Sequence, residues 1–282
     1  MLHESLRTRG RERDALLARV NDVLAADHRV RASWIEGSVG RGEDDGFSDL
    51  DVGVVIADHE APVLARRPER PMTYTALTSS PRAAFAAAAA DPLLVMEAPH
   101  NAPQGGAFLS TFVPGSQGPH GIDWIWQPLS AAQPPPDCRM LFDRRDASES
   151  AVPPVIPDVD RDDITRTPFE TTVQAACSFW SMLLWSAKGV ARAPDTADMP
   201  LLRYVEADLR RIEDYTGSAQ PEHPSGAMRR GVDKVRLLRD HAEHMQKLAP
   251  QLASVGIVLP HQLPHQVEQL LDVVEAAVLA NG

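Results

Sequence analysis

The sequence predicts an α+β protein, a small mixed-sheet domain followed by a C-terminal all-α helical bundle. Three observations carry that prediction. Residues 30–146 fall into short apolar runs split by Gly and Pro, which is the texture of strands and tight connections. Residues 169–282 repeat apolar positions every three to four residues, which is the period of packed helices. Residues 147–168 (ASESAVPPVIPDVDRDDITRTP) have neither period and are rich in Pro and Asp, the composition of a connector. The expected organisation is an α/β domain with an N-terminal helix at 1–146, a linker at 147–168 and a helical bundle at 169–282.

Each element has its own reason. In segment 4–28 the residues Leu16, Leu17, Val20, Val23 and Leu24 recur at helical spacing, with Arg and Asp on the other face, so one amphipathic helix is expected. VRASWIEG, DLDVGVVIA, LLVMEA, GAFLSTFVP, GIDWIWQP and RMLFDR read as five or six strands. PRAAFAAAAADP at 81–92 reads as a short helix, because Ala has the highest helix propensity and Pro is accepted at a helix start. Beyond the linker, four segments starting near Pro168, Met199, Gly226 and Pro264 each have one apolar face. They are read as four helices.

Composition excludes several function classes. With 282 residues, 43% hydrophobic and 24% charged, the chain is long and apolar enough for a real core, so intrinsic disorder is excluded. The formal net charge of −11 repels a phosphate backbone and favours cationic partners, so nucleic acid is disfavoured as a partner. Cys138 and Cys177 are the two cysteines; they form no CxxC pair and no Cys/His ligand spacing, which argues against a disulfide framework or a zinc site. No apolar stretch reaches 18 residues and the N-terminus is charged. A cytoplasmic protein with no membrane partner is therefore expected.

The chemistry is concentrated in residues 35–56, IEGSVGRGEDDGFSDLDVGVVI. An apolar segment ends at Gly37-Ser38, a polar loop follows, and Ser48-Asp49-Leu50-Asp51 opens a β-branched strand. Residues i and i+2 of a strand share a face, so Asp49 and Asp51 project together. Two carboxylates on one face repel unless a cation lies between them, and Mg²⁺ is held by one or two carboxylates plus substrate phosphates. Gly37 permits close backbone approach, and Ser38 has a hydroxyl to offer a phosphate oxygen. Asp123, set between Ile122 and Trp124, is a third candidate ligand, because an unpaired Asp in so apolar a strand is costly. Arg41 in the loop reads either as a triphosphate contact or as a solvated arginine. Lys188, one of three lysines, falls on a helical face with Trp180 and Leu184 and is read either as a triphosphate contact or as a lysine at a helix C-terminus. Glu170 and Glu206 are the bundle carboxylates to consider as a base. Trp124, Trp126, Trp180 and Trp185 suit either base stacking or core packing, the second being commoner. His241 and His244 read as surface histidines.

On Gly37-Ser38, Asp49, Asp51 and Asp123, taken in that order, the sequence resembles the nucleotidyltransferase superfamily of DNA polymerase β type. Within it the chain is similar to bacterial aminoglycoside and lincosamide nucleotidyltransferases, in which a small α/β domain precedes a helical one. The specific motifs lie in 37–51 and 121–128, while the order of elements matches over most of the chain. The resemblance implies a nucleotidyltransferase of adenylyltransferase type: metal-dependent transfer of a nucleoside monophosphate from ATP or another nucleoside triphosphate to a hydroxyl of a small, cationic, antibiotic-like acceptor, with release of pyrophosphate. It implies Mg²⁺ on Asp49, Asp51 and Asp123, and nucleotide contacts from Gly37, Ser38, Arg41 and Lys188. The alternative is AMPylation of a protein partner or an antitoxin-like interaction module; the attached helical half favours the small-molecule reading.

Overall fold

The computed structural model describes residues 2–65, 81–98, 101–103, 105–146, 167–196, 199–218 and 230–281. Contacts divide the chain into two compact units: one comprises Arg9–Pro114 and His120–Thr165, the other Met1–Thr8, Gly115–Pro119 and Arg166–Gly282. Of the expected linker, residues 147–166 lie outside the described residues.

The first unit is built on helix α1 (Leu2–Ala26), most of which belongs to it, and on a six-stranded sheet. The strands are β1 (Val30–Glu36), β2 (Leu50–Ile56), β3 (Leu94–Glu97), β4 (Ala107–Val113), β5 (His120–Pro128) and β6 (Arg139–Asp143). Between them lie α2 (Gly37–Arg41), α3 (Ala61–Leu64) and α4 (Pro81–Ala89). The spatial order is β3-β4-β5-β2-β1-β6. Only the central β2/β5 pair is parallel, so the sheet is mixed.

Strand alternation decides what each face carries. Leu50, Val52, Val54 and Ile56 of β2, Ile122, Trp124 and Trp126 of β5, and Ala107 and Leu109 of β4 join one core. That core also holds Leu16, Leu17, Val20 and Leu24 of α1 and Ala83, Phe85, Ala86 and Ala89 of α4. Along β5 the opposite positions, Asp123, Ile125 and Gln127, are only half-buried. The same opposite face carries Trp34, which lies across Gly53, its register partner. The tryptophans of β5 are core residues, stacked with centroids 6.3 Å apart, and Phe85 meets Trp126 edge-on at 5.1 Å.

One expectation about α1 is corrected. Its arginines are not all on the solvent face: Arg9 and Arg13 are buried beside the leucine stripe. The Ala-rich helix ends at Ala89 instead of running to 92.

The second unit contains α5 (Pro168–Arg192), α6 (Leu202–Thr216), α7 (Gly231–Ser254) and α8 (Leu263–Asn281), the four helices the apolar periodicity predicts. Helix α5 begins with Thr167 as N-cap and Pro168 at the first position, and Glu170 closes a reciprocal capping box. Its inward face is formed by Val173, Phe179, Trp180, Leu183 and Leu184, all buried. Arg239 of α7 is ion-paired to Glu268, Asp272 and Glu275 of α8. Among the described residues no helix is long and apolar enough to cross a membrane.

Gly53 is a packing constraint, since a Cβ there would strike the Trp34 indole. Gly53→Ala is expected to destabilise the chain by about 1–3 kcal/mol, seen as a lower urea midpoint with an unchanged slope.

Candidate active site

The turn after β1 is dictated by Gly37. Its φ is +66°, a region that residues with a side chain rarely enter. A Cβ at Gly37 would also strike the Asp51 carboxylate, so two separate constraints select glycine. The chain then makes the single helical turn of α2 and passes into the loop at 42–49.

That loop is held by its own hydroxyls and by α1. Ser38 Oγ donates to Ser48 Oγ at 2.9 Å, and Ser48 Oγ donates to Asp45 Oδ1 at 3.0 Å. Asp45 Oδ1 also accepts from the Phe47 amide at 2.8 Å. From α1, Arg9 Nε donates to the Gly46 carbonyl and Arg13 Nη1 to the Asp45 carbonyl, both at 2.7 Å, and Arg13 is ion-paired with Asp44. Burial pulls the Arg9 guanidinium down to about 10, against the opposing pull of Asp49, the strongest acidic influence on it. Arg9 was not apparent in the sequence as a site residue; its only signal was an arginine close to the apolar stripe of a helix.

Asp49 precedes β2 and accepts from the Gly121 amide through Oδ1 at 3.2 Å. A Cβ on Gly121 would strike that carboxylate. Asp49 and Asp51 are therefore each laid against the backbone of a glycine from a neighbouring segment.

Register brings the third carboxylate alongside. Asp51 of β2 pairs with Asp123 of β5 in the parallel ladder, with strands roughly 4.7–4.9 Å apart. Asp51 pairs on its other side with Glu36 of β1, and Asp123 with Ser110 of β4. The row Glu36–Asp51–Asp123–Ser110 crosses four strands on one face, opposite the α1 and α4 core. Glu36 is a carboxylate that sequence reasoning missed, because its proximity to Asp51 exists only through strand register. Its Oε2 accepts from Trp34 Nε1 at 3.1 Å. Burial raises its pKa, the indole hydrogen bond opposes that shift, and Asp137 reinforces it.

The remaining candidates are placed differently. Arg41 is exposed and paired with Glu43 at 2.7 Å and Asp137 at 3.3 Å, and both acids hold its pKa up, Glu43 more strongly. Lys188 belongs to the helical unit and is buried on α5 with Trp180 and Leu184, so it is not a solvent-directed lysine. Glu170 is occupied by the cap of α5, where its Oε2 accepts from the Thr167 amide at 2.9 Å; the T-x-x-E spacing was the signal for that role. Glu206 is half-buried on α6. The surface reading of the two histidines is corrected. His241 is buried, and His244 Nε2 lies 2.7 Å from Oε1 of the fully buried Glu213, a partner on another helix that spacing cannot reveal.

Among the described residues no three His, Cys, Asp or Glu side chains form a ready-made metal cage. A hard divalent cation bound with substrate phosphates needs only one or two carboxylates. Asp51 beside Asp123, with Asp49 entering the same strand and room kept by Gly37 and Gly121, is an all-oxygen donor set that fits such a cation.

No family model matches this chain, and no curated protein matches it. Among solved structures, the chain is similar to a STING-associated CdnE c-di-GMP synthase from Capnocytophaga granulosa, at 11% identity and a TM-score of 0.26, over 98% of this chain and 81% of that one. A likeness at that level carries no weight beside the geometry of the residues themselves.

The raised Glu36 pKa means that the folded state holds this proton more tightly than the unfolded chain does. Its stabilising contribution is present when the carboxyl is protonated and is lost as pH rises from the ordinary value near 4.5 through the raised folded value. In chelator-treated protein, wild type is therefore expected to lose stability relative to Glu36→Gln across that window. Urea denaturation at a series of pH values checks it; parallel curves for the two proteins would refute it.

Proposed function

We propose that this chain is a metal-dependent nucleotidyltransferase that moves a nucleoside monophosphate from a nucleoside triphosphate to a hydroxyl of a small cationic acceptor, releasing pyrophosphate. The observation that supports this most is the in-register placement of Asp51 beside Asp123, with Asp49 and the Gly37-Ser38 turn against the same strand. In this reading Asp49, Asp51 and Asp123 hold Mg²⁺. The ion, when bound, neutralises charge on the triphosphate and stabilises the charge that develops during transfer. Asp49 and Asp51 are kept on one face by the strand and against backbone by Gly121 and Gly37, so little reorganisation is needed to receive a cation. Asp123 faces the same space from the neighbouring strand and is assigned to the acceptor hydroxyl, whose proton it takes as the new O–P bond forms. Ser38 and Arg41 are assigned to the triphosphate, which requires each to exchange its present partner for a phosphate oxygen.

The acceptor is proposed to be cationic because the chain has a net charge of −11, and acidic surfaces concentrate cations. An antibiotic of aminoglycoside or lincosamide type fits that description, as does a polyamine derivative with a hydroxyl.

Two experiments test these assignments. Asp49→Asn and Asp51→Asn are each expected to lower pyrophosphate release by roughly 10²–10⁴-fold; Asp51→Asn should leave thermal stability intact or higher, because it relieves carboxylate repulsion, whereas Asp49→Asn should lower it, because Asp49 offsets the burial of Arg9. Asp123→Asn is expected to weaken Mg²⁺-nucleotide binding by calorimetry and to lose transfer. Near wild-type transfer in either of the first two variants would overturn the metal assignment. For the acceptor, a pyrophosphate-release screen with ATP and GTP against aminoglycosides, lincosamides, polyamines and neutral sugars is expected to give hits among the cations. Their apparent affinity should fall as salt rises to physiological strength, where screening acts over roughly 8–10 Å. A hit confined to neutral sugars, or turnover only with a protein acceptor, would overturn the acceptor class.

A further inference from the structure

Ser110 has a want that the rest of the fold does not explain. It is 1% exposed, and its Oγ has no hydrogen-bond partner among the described residues. Three other buried hydroxyls find a carbonyl: Ser33 donates to Gly53 at 2.8 Å, Ser181 to Cys177 at 3.1 Å and Thr111, the next residue on β4, to Ile122 at 3.4 Å. A buried hydroxyl left unpaired is destabilising, and each such group in a folded chain calls for an explanation. Ser130 and Ser186 share the property. Only Ser110 stands in the carboxylate row, as the register partner of Asp123, on an antiparallel pair whose Cβ atoms are roughly 4.5–5.5 Å apart.

We propose that Ser110 is a positioning residue for Asp123: its hydroxyl donates to the Asp123 carboxylate when the site holds a divalent cation and nucleotide, and fixes which carboxylate oxygen faces them. Carboxylates that ligate metals are commonly oriented by such an outer hydrogen bond. In the ligand-free chain the bond is not made, so the hydroxyl lowers the stability of the empty protein and adds to the affinity of the loaded one. This inference rests on the nucleotidyltransferase reading and extends it to a residue outside the Asp-x-Asp motif.

The test compares Ser110→Ala, Ser110→Thr and Ser33→Ala with wild type by two readouts. One is the melting temperature of metal-free protein. The other is the affinity for Mg²⁺ with a non-hydrolysable ATP analogue by calorimetry. Ser110→Ala is expected to melt roughly 2–4 °C higher and to bind roughly 10–100-fold more weakly, as befits a lost hydrogen bond to a charged group. Ser110→Thr keeps the hydroxyl and should bind close to wild type. Ser33→Ala, which loses a bond already made, should melt lower and bind normally. Wild-type affinity in Ser110→Ala, or weaker binding accompanied by a lower melting temperature, would overturn the role of Ser110 alone. If wild type itself shows no saturable Mg²⁺-nucleotide binding, the functional reading falls and this inference with it.

Discussion

The parallel pairing of β2 with β5 is the constraint on which the rest of the first unit depends. Side chains alternate along a strand, so a slip of one residue would move Asp123 into the tryptophan and leucine core and bring Trp124 to the opposite face. The core forbids that slip. Trp124 and Trp126 are stacked and fully buried, Phe85 closes on Trp126 from α4, and Val52 and Val54 pair with the two tryptophans across the ladder. The polar row Glu36–Asp51–Asp123–Ser110 thus owes its alignment to apolar packing on the other side of the sheet. Carboxylate repulsion alone would scatter such a row; burial of the opposite face holds it together.

The loop before β2 shows a second kind of control. The eight residues between α2 and Leu50 bury one apolar side chain, Phe47, and their carbonyls and acids are anchored by Arg9 and Arg13. An arginine buried at 1% exposure is costly unless its donors are used and charge lies nearby. Here the Gly46 carbonyl takes one donor, and the fields of Asp49, Glu12 and Asp45 oppose the cost of burial. Helix α1 is therefore more than a cover for the sheet: it carries positive charge to the acidic end of β2.

In the helical unit buried polar groups are also met from other elements. Glu213 of α6 reaches His244 of α7, and Lys234 of α7 donates to the carbonyls of Pro194, at 2.8 Å, and Thr196. Asp208 is raised in pKa by burial and countered by Ser178 and Arg211. These contacts fix how neighbouring helices pack, because a buried ionisable group tolerates few alternative arrangements.

The sequence by itself determined the element types and which residues are acidic on a strand face. Alternation and period act within about a dozen residues, so a set of five or six strands, the α1 stripe, the four C-terminal helices and the shared face of Asp49 and Asp51 were legible without coordinates. Gly37-Ser38 before an Asp-x-Asp strand was legible for the same reason. Tertiary structure alone decided which strands are neighbours and in what register. Only then does Glu36 come alongside Asp51, Ser110 alongside Asp123 and Gly121 beneath Asp49, and only then do Arg9 and Arg13 turn from an expected polar face into the loop. Those pairings join residues tens of positions apart in the chain. They are set by the fit of one apolar core, which no local pattern of residues encodes.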